Sequence, residues 1–233
     1  DDKNDLLFSS EVFFAVYHSS RSKLNSSYFS QALSLTSRLT FIGTNPANSQ
    51  IAVFYDDPSN DWRSNLTWGT VTTSGEVGGG DDDDDDDDGT KEDAGSSLYF
   101  MKYGEAGREA ELDGTETYLN MIPLIRLSEA YLIAAECAAT PEEALEYLRA
   151  IREHRNCHMP IEASSADEVR ELVTKEFARE VIGEGQLFFY YKRLNLEKFL
   201  SGSEIGGTYE MMTDNYVWDL PDVEKTKRSM TNN

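Results

Sequence analysis

The feature that most constrains the fold is a helix start placed between two stretches whose apolar residues recur at helical spacing. Thr140 suits the N-cap, Pro141 suits the first helical position, and Glu143 completes a capping box. The apolar spacing covers Leu124, Leu127, Tyr131, Ala134, Ala135 and Ala138 before this start, and Ala144, Leu145, Leu148 and Ile151 after it. Because only a few residues connect the two stretches, the sequence predicts an antiparallel helical hairpin.

The first of these helices also carries Leu127-Ser128-x-x-Tyr131, which fits the core of a tetratricopeptide repeat. In such repeats a small residue lets the paired helices approach closely. One repeat cannot form a solenoid by itself, since each unit needs neighbours to cover its apolar face. We therefore expect further repeats in sequence outside this chain.

More helix is predicted after the hairpin. Ser165 and Glu168 form a second capping box. The apolar stripe that follows consists of Val169, Leu172, Val173, Phe177 and Val181. Gly183 and Gly185 are expected to end or bend this helix, and an apolar segment at 187–191 follows at once. Tyr216 and Trp218 lie in a short extended tail that ends at Pro221, and both are predicted to be core residues.

The first third of the chain leans towards β-structure. The stretches 11–17 and 51–55 are rich in β-branched and aromatic residues and are predicted as strands. Residues 19–48, dominated by Ser, Thr and Asn, are expected to form loops with short helical pieces. We predict a mainly α fold: residues 1–118 form a loop-rich, partly β portion with an acidic low-complexity insert at 74–95, and residues 119–233 form a helical portion.

The charge of the chain excludes one class of partner. Its formal net charge is −22, and −14 remains after removal of the eight charges of Asp81 to Asp88. Such a surface repels phosphate backbones, and no basic stripe offsets it, so no nucleic-acid partner is expected. A run of like charges is typical of a solvated loop, which we favour here over a divalent-cation site.

Cysteine and histidine positions give little support to a metal or nucleophilic site. At ~1.5 Å rise per residue, Cys137 and Cys157 lie on the order of 20 Å apart along the hairpin, and a disulfide needs Cα atoms within ~7 Å. We therefore predict two free thiols. His154 and His158 have metal-ligand spacing only if the helix continues past Asn156 and Pro160, which argue that it has ended. No metal and no cofactor are predicted.

Several short motifs, in order along the chain, resemble the SusD/RagB family. They are Ser10-Glu11-Val-Phe-Phe, Asp61-Trp-Arg63, Lys102-Tyr103, the segment from Pro123 to Glu136, Leu148 to Arg155, Glu176-Phe-Ala-Arg179-Glu180 with Glu184-Gly185-Gln186 and Lys192-Arg193, and Leu220-Pro221-x-x-Glu224. Each motif is weak alone, but the order covers nearly the whole chain. The chain resembles the C-terminal half of a family member, although residues 187–190 read Leu-Phe-Phe-Tyr where the family often has Arg-Trp-Phe-Asp.

The resemblance implies a function. It implies a nutrient-binding lipoprotein on the cell-surface face of the outer membrane, delivering oligosaccharides to a SusC-like TonB-dependent transporter, without catalysis. The lipid-bearing N-terminal cysteine of the family is absent from this chain. Two alternatives stay open: a helical-repeat scaffold that binds another protein, and a glycan-active hydrolase. The hydrolase would need two carboxylates about 5–10 Å apart in a cleft.

Two sets of residues are singled out as candidates. Charged residues on packed helices are rarely buried without a partner, so we expect structural ion pairs among Arg126, Glu129, Glu136, Glu180, Glu184 and Arg193. Glycan recognition uses exposed aromatic rings beside amide and charged side chains. The stretch 55–68 offers such a mixture, and the ligand-binding candidates are Tyr55, Asn60, Trp62, Arg63, Asn65 and Trp68.

Overall fold

The computed structural model describes residues 6–19, 40–42, 49–72, 96–103, 120–201 and 205–231. The predicted acidic insert, with Asp81 to Asp88, and most of the predicted loops at 19–48 lie outside these residues. The helices of the described part are α1 (Gln50–Phe54), α2 (Trp62–Asn65), α3 (Leu127–Glu136), α4 (Pro141–His154), α5 (Ala166–Val181), α6 (Leu187–Leu194) and α7 (Asp222–Thr231).

The strands of the described part are short. They are β1 (Val12–Tyr17), β2 (Thr40–Ile42), β3 (Trp68–Thr72), β4 (Ser96–Phe100), β5 (Met121–Arg126), β6 (Lys198–Leu200) and β7 (Thr208–Glu210). They form three antiparallel sheets, with the orders β1-β5, β2-β4-β3 and β6-β7. Two 3₁₀ helices, Ser9–Glu11 and Thr213–Tyr216, complete the described elements. The fold is mainly α, as the sequence predicts.

The predicted hairpin is present as α3 and α4, and α5 packs against both. Thr140 accepts a hydrogen bond from the Glu143 amide at 3.2 Å, and Ser165 accepts the matching bond from Glu168 at the start of α5. Both predicted helix starts are therefore confirmed. The core between the three helices includes Leu132, Ala135, Ala144, Leu145, Leu148, Ile151, Val169, Val173, Phe177 and Val181.

The predicted buried face of the first helix is displaced by one residue. Leu124 lies in strand β5 and is exposed, and the helix begins only at Leu127, which is also exposed. The buried residues of α3 are Ser128, Leu132 and Ala135. Arg126 is still extended, so β5 runs straight into the helix and sets which side faces α5. Apolar spacing alone did not contain that information.

A second, smaller core joins the β-structure to the end of α5. It contains Leu7, Ile51, Tyr55, Trp68, Leu98, Phe100, Tyr103 and Ile182. The predicted strand at 51–55 is wrong, because residues 51–54 belong to α1 and Tyr55 is the residue that follows it. Ser49 caps this helix by accepting a hydrogen bond from the Ile51 amide, and Ile51 and Tyr55, four residues apart, are both buried.

The two tail aromatics have different positions. Tyr216 is buried, as predicted, and its hydroxyl donates to the Leu196 carbonyl. The prediction for Trp218 is wrong: its side chain is 75% exposed and its ring stacks on Phe188, with centroids 5.9 Å apart. No helix within the described ranges is long and apolar enough to cross a membrane.

Candidate functional site

One face of α5 carries three charged side chains that are almost completely buried. Glu176, Arg179 and Glu180 are 2%, 3% and 1% exposed. The spacing of three and four residues puts them on the same side of the helix, facing the loop-rich portion of the chain. The ion pairs around them, together with those of Glu184, are called here the charge cluster.

Glu180 is the centre of this cluster. Its Oε1 accepts from Arg63 Nη1 at 2.8 Å and from Arg155 Nε at 2.9 Å, and its Oε2 accepts from Arg155 Nη2 at 3.1 Å. Burial by itself would raise the pKa of this carboxyl. The two guanidinium groups outweigh burial and hold the pKa of Glu180 well below its usual range.

The two arginines reach further carboxylates. Arg63 binds Asp61 in a bidentate pair, at 2.9 Å from Nε and 2.7 Å from Nη2. Arg155 binds Glu11 in the same way, at 2.6 and 2.7 Å, and its guanidinium lies over the Phe8 ring. Through these two arginines, the Glu180 carboxylate in α5 is connected to α2, to the end of α4 and to the segment before β1.

Glu176, one turn before Glu180 on α5, is likewise bound by arginine side chains. Its Oε2 lies 3.1 Å from both Arg152 Nη1 and Arg179 Nη1. Asp56, just after α1, joins these two arginines from the other side, at 2.9 Å from Arg152 and 2.7 Å from Arg179. Burial opposes ionisation of Asp56, but hydrogen bonds from Arg179 and Arg152 lower its pKa.

Glu184 holds the third part of the cluster beyond the end of α5. Lys102 Nζ lies 2.6 Å from Glu184 Oε1, and Arg126 Nη2 donates to Glu184 Oε2 at 2.9 Å. The same two cations donate to the Glu180 carbonyl, at 3.1 and 2.8 Å. These contacts satisfy one of the carbonyls that a helix leaves unpaired at its C-terminal end.

Lys102 gives a pH prediction. Burial, reinforced by the nearby Arg126, lowers the pKa of Lys102 to about 8, whereas an unfolded lysine titrates near ~10.4. Between these values the unfolded chain binds more protons than the folded one, so the free energy of unfolding rises with pH. We expect chemical denaturation to show this rise from about pH 8 to about pH 10. In Lys102→Met this contribution to the slope should be absent, and an unchanged slope would contradict the assignment.

The other predicted ion-pair residues lie nearer the surface. Arg193 binds Glu136 in a bidentate pair at 2.7 and 2.8 Å, which ties α6 to the end of α3. Glu129 is partly buried near Arg126, and burial raises its pKa, but it makes no ion pair with the described residues. The predicted ion-pair residues did not include Glu11, Asp56, Asp61, Lys102, Arg152, Arg155, Glu176 or Arg179. All of these except Asp56 lie in the motifs quoted above, and no sequence signal marked Asp56.

The motifs that carry the family resemblance meet in this cluster: Glu11, Asp61, Arg63, Lys102, Arg126, Arg152, Arg155, Glu176, Arg179, Glu180 and Glu184 all belong to them. A family model described as the SusD family matches residues 39–231. This chain belongs to the SusD family. In this chain, the charged residues of these motifs form ion pairs that connect the loop-rich and helical portions.

A solved structure shares this fold. The crystal structure of a SusD superfamily protein from Bacteroides thetaiotaomicron superposes with a TM-score of 0.50 at 22% identity, which shows a common fold. The match covers 80% of this chain and 38% of that one, so this chain spans about two fifths of its length. No curated protein matches the sequence.

The six ligand-binding candidates do not share one environment. Tyr55, Arg63 and Trp68 are buried, and Trp68 Nε1 donates to the Tyr55 hydroxyl at 3.3 Å. Burial leaves these three side chains almost no surface for a ligand. Asn60 and Asn65 are exposed and Trp62 is partly exposed, all at the turn that leads into and out of α2.

The same turn is fixed by hydrogen bonds to the end of α4. The Trp62 amide donates to the Arg155 carbonyl at 2.9 Å, and the Asn156 side chain donates to the Asn60 carbonyl at 2.9 Å. Asp57 accepts from the His158 amide at 3.0 Å. The segment 57–65 is therefore held against the hairpin, with the side chains of Asn60, Trp62 and Asn65 at its outer side.

His154 and His158 do not lie on one helix. Helix α4 ends at His154 and Asn156 has a left-handed backbone, as the sequence indicates. Cys157 is buried, which raises its thiol pKa to about 11, and both cysteines are free. Within the described residues, no group of three or more His, Cys, Asp or Glu side chains is placed to hold a metal ion.

Proposed function

We propose that this protein is the nutrient-binding component of an outer-membrane uptake system, which captures glycans at the cell surface and delivers oligosaccharides to a SusC-like TonB-dependent transporter. The observation that carries the proposal is membership of the SusD family over residues 39–231. Proteins of this family are generally non-catalytic binding proteins. We further propose that a lipid anchor holds the protein at the cell surface.

The carboxylates of the charge cluster are not suited to catalysing hydrolysis. A glycosidase acid must keep its proton near neutral pH, which requires a raised pKa. Guanidinium groups instead lower the pKa of both Glu176 and Glu180, although burial opposes this. Both side chains are also almost inaccessible to a ligand. A binding role without bond cleavage is the function that this arrangement favours.

The two-stranded sheet of β1 and β5 supports the alternative of a protein-binding function. Strands β1 and β5 pair antiparallel and expose apolar side chains that include Phe13, Phe14, Tyr17, Leu124 and Ile125. Exposed apolar side chains in such numbers are typical of contacts with other protein surfaces. A scaffold would bind protein without preference for sugars, so a glycan-binding assay separates the two proposals.

The turn at α2 gives the first test of glycan capture. Of the proposed ligand residues, Asn60, Trp62 and Asn65 reach solvent, and Trp62 supplies the aromatic ring. Loss of one aromatic contact corresponds to roughly a tenfold loss of affinity. We expect Trp62→Ala to weaken oligosaccharide binding by about this factor in isothermal titration calorimetry.

Trp218→Ala is the matched control, because Trp218 is the other solvent-exposed tryptophan and lies on the C-terminal tail. Its affinity should equal that of the unaltered protein. Equal affinities of all three proteins would remove Trp62 from the ligand site. Failure of the unaltered protein to bind any oligosaccharide would contradict the glycan-capture proposal itself.

A further inference from the structure

A cleft of about 670 Å³ lies between α5, the end of α1 and the strand β6. This volume is in the range of ~300–1,000 Å³ that small-molecule sites occupy. Its lining includes Glu171, Thr174 and Lys175 from α5, and the aromatic residues Phe54, Tyr191 and Phe199 from α1, α6 and β6. The candidates at the α2 turn, Asn60, Trp62 and Asn65, do not line it.

Two of the aromatic residues that line the cleft, Tyr191 and Phe199, belong to an ordered aromatic stack. Tyr191 and Phe199 are stacked with centroids 5.3 Å apart, and Phe199 stacks in turn on Tyr209 at 5.2 Å. The three rings come from α6, β6 and β7, and Tyr191 is buried enough that its pKa is raised. Offset stacking at such distances is favourable, so the three rings stabilise one another's positions.

The charges in the cleft are nearly balanced, although the whole chain is strongly acidic. Four cationic side chains line it with three carboxylates: Arg170, Lys175, Arg179 and Lys198 with Asp56, Asp167 and Glu171. Carboxylates accept hydrogen bonds, and ammonium and guanidinium groups donate them. A ligand with many hydroxyl groups satisfies both kinds at once, whereas an ionised ligand would be opposed by one kind.

Some charged side chains of the cleft form ion pairs with each other, and others do not. Arg179 and Asp56 bind each other at 2.7 Å, and Arg170 pairs with Asp167 at 2.6 Å. Lys175 and Glu171 are exposed, one turn apart on α5, and neither forms an ion pair with the described residues. Both side chains are therefore available to a ligand.

We infer that this cleft binds a segment of a neutral oligosaccharide. The CH groups of its sugar rings pack on the rings of Tyr191 and Phe199, and its hydroxyls bind Lys175 and Glu171. This inference rests on the proposed glycan-binding function and assigns it a place distinct from the α2 turn. It also assigns a ligand class, a neutral glycan rather than one that carries carboxylates.

The test is calorimetric titration of the whole chain with neutral glucan, xylan and mannan oligosaccharides and with an oligogalacturonide. We expect a neutral oligosaccharide to bind, and Phe199→Ala to weaken it by about tenfold. Lys175→Ala should weaken it by about threefold to tenfold. Because Lys175 is exposed and has no ion-pair partner in the described residues, this variant keeps the test valid if Phe199→Ala unfolds.

Phe189→Ala is the matched control, since Phe189 is on α6 near Tyr191, is 62% exposed and lies outside the cleft. It should bind like the unaltered protein. Unchanged binding by both cleft variants, with a loss in Trp62→Ala, would overturn the cleft and leave the proposed function standing. Preferential binding of the oligogalacturonide would overturn the neutral ligand class. No binding to any of the four would remove the proposed function and this inference with it.

Discussion

Glu180→Gln is expected to lower the free energy of unfolding by about 3–5 kcal/mol, the cost of removing one partner from a buried ion pair. The change keeps the shape of the side chain but removes the charge that faces Arg63 and Arg155. Both guanidinium groups are then left in the interior with fewer compensating carboxylates. Most of the loss comes from these uncompensated charges rather than from the missing hydrogen bonds.

The measurement is urea denaturation of the variant and of a matched control, Glu136→Gln. Glu136 also binds an arginine in a bidentate pair, but that pair is at the surface, with side chains 28% and 53% exposed. Exposed pairs contribute about 0–1 kcal/mol, so the control should be nearly as stable as the unaltered protein. If both variants lost the same amount, burial would not be what gives the Glu180 contacts their importance.

The pH dependence of stability gives a second view of the same carboxylate. Its pKa in the folded protein lies below the value in the unfolded chain, which is about 4.3 for glutamate. The stabilisation is therefore complete above that value and is lost as the pH falls towards the folded pKa, because the unfolded chain takes up the proton first. Glu180→Gln should lose stability less steeply than the unaltered protein below about pH 4.3.

Sequence patterns predicted the parts of the fold that depend on neighbours along the chain. Capping boxes at Thr140 and Ser165 are local signals, and each marked a helix start correctly. The prediction of a strand at 51–55 was wrong because the β-branched and aromatic residues of this stretch favour a strand in isolation. A capped helix that buries Ile51 and Tyr55 against the second core prevailed, and that core is formed by residues distant in sequence.

For the charged residues too, the local pattern could be predicted from the sequence, and the contacts between distant residues could not. The types and order of the charged residues identified the family. Because a buried charge without a partner is costly, ion pairs could be expected among them. The partners could not be predicted, since Glu11 and Arg155 are 144 residues apart and Arg63 and Glu180 are 117 apart. Arg63 was proposed as a ligand residue because an arginine side chain can bind either a ligand or a carboxylate of the fold. Only the fold shows that its side chain is enclosed by Asp61, Glu176 and Glu180.

Gly183→Ala is the second change with a large expected effect, at about 2–5 kcal/mol. Gly183 ends α5 with a left-handed backbone, at φ +77°. A Cβ atom there would lie 2.5 Å from Cε1 of Phe100, so it would have to displace a buried ring of the second core. Left-handed backbone in a non-glycine residue costs about 1–2 kcal/mol, and overpacking adds about 1–3 kcal/mol.

Gly185→Ala separates these two contributions. Gly185 has almost the same backbone, at φ +80°, but a Cβ atom there would meet nothing within 4 Å. Urea denaturation should therefore show a loss of only about 1–2 kcal/mol for this variant. In a Phe100→Leu background, which shortens the opposing side chain, Gly183→Ala should cost no more than Gly185→Ala. A full additional loss in that background would mean that the backbone, and not the Phe100 ring, requires glycine at position 183.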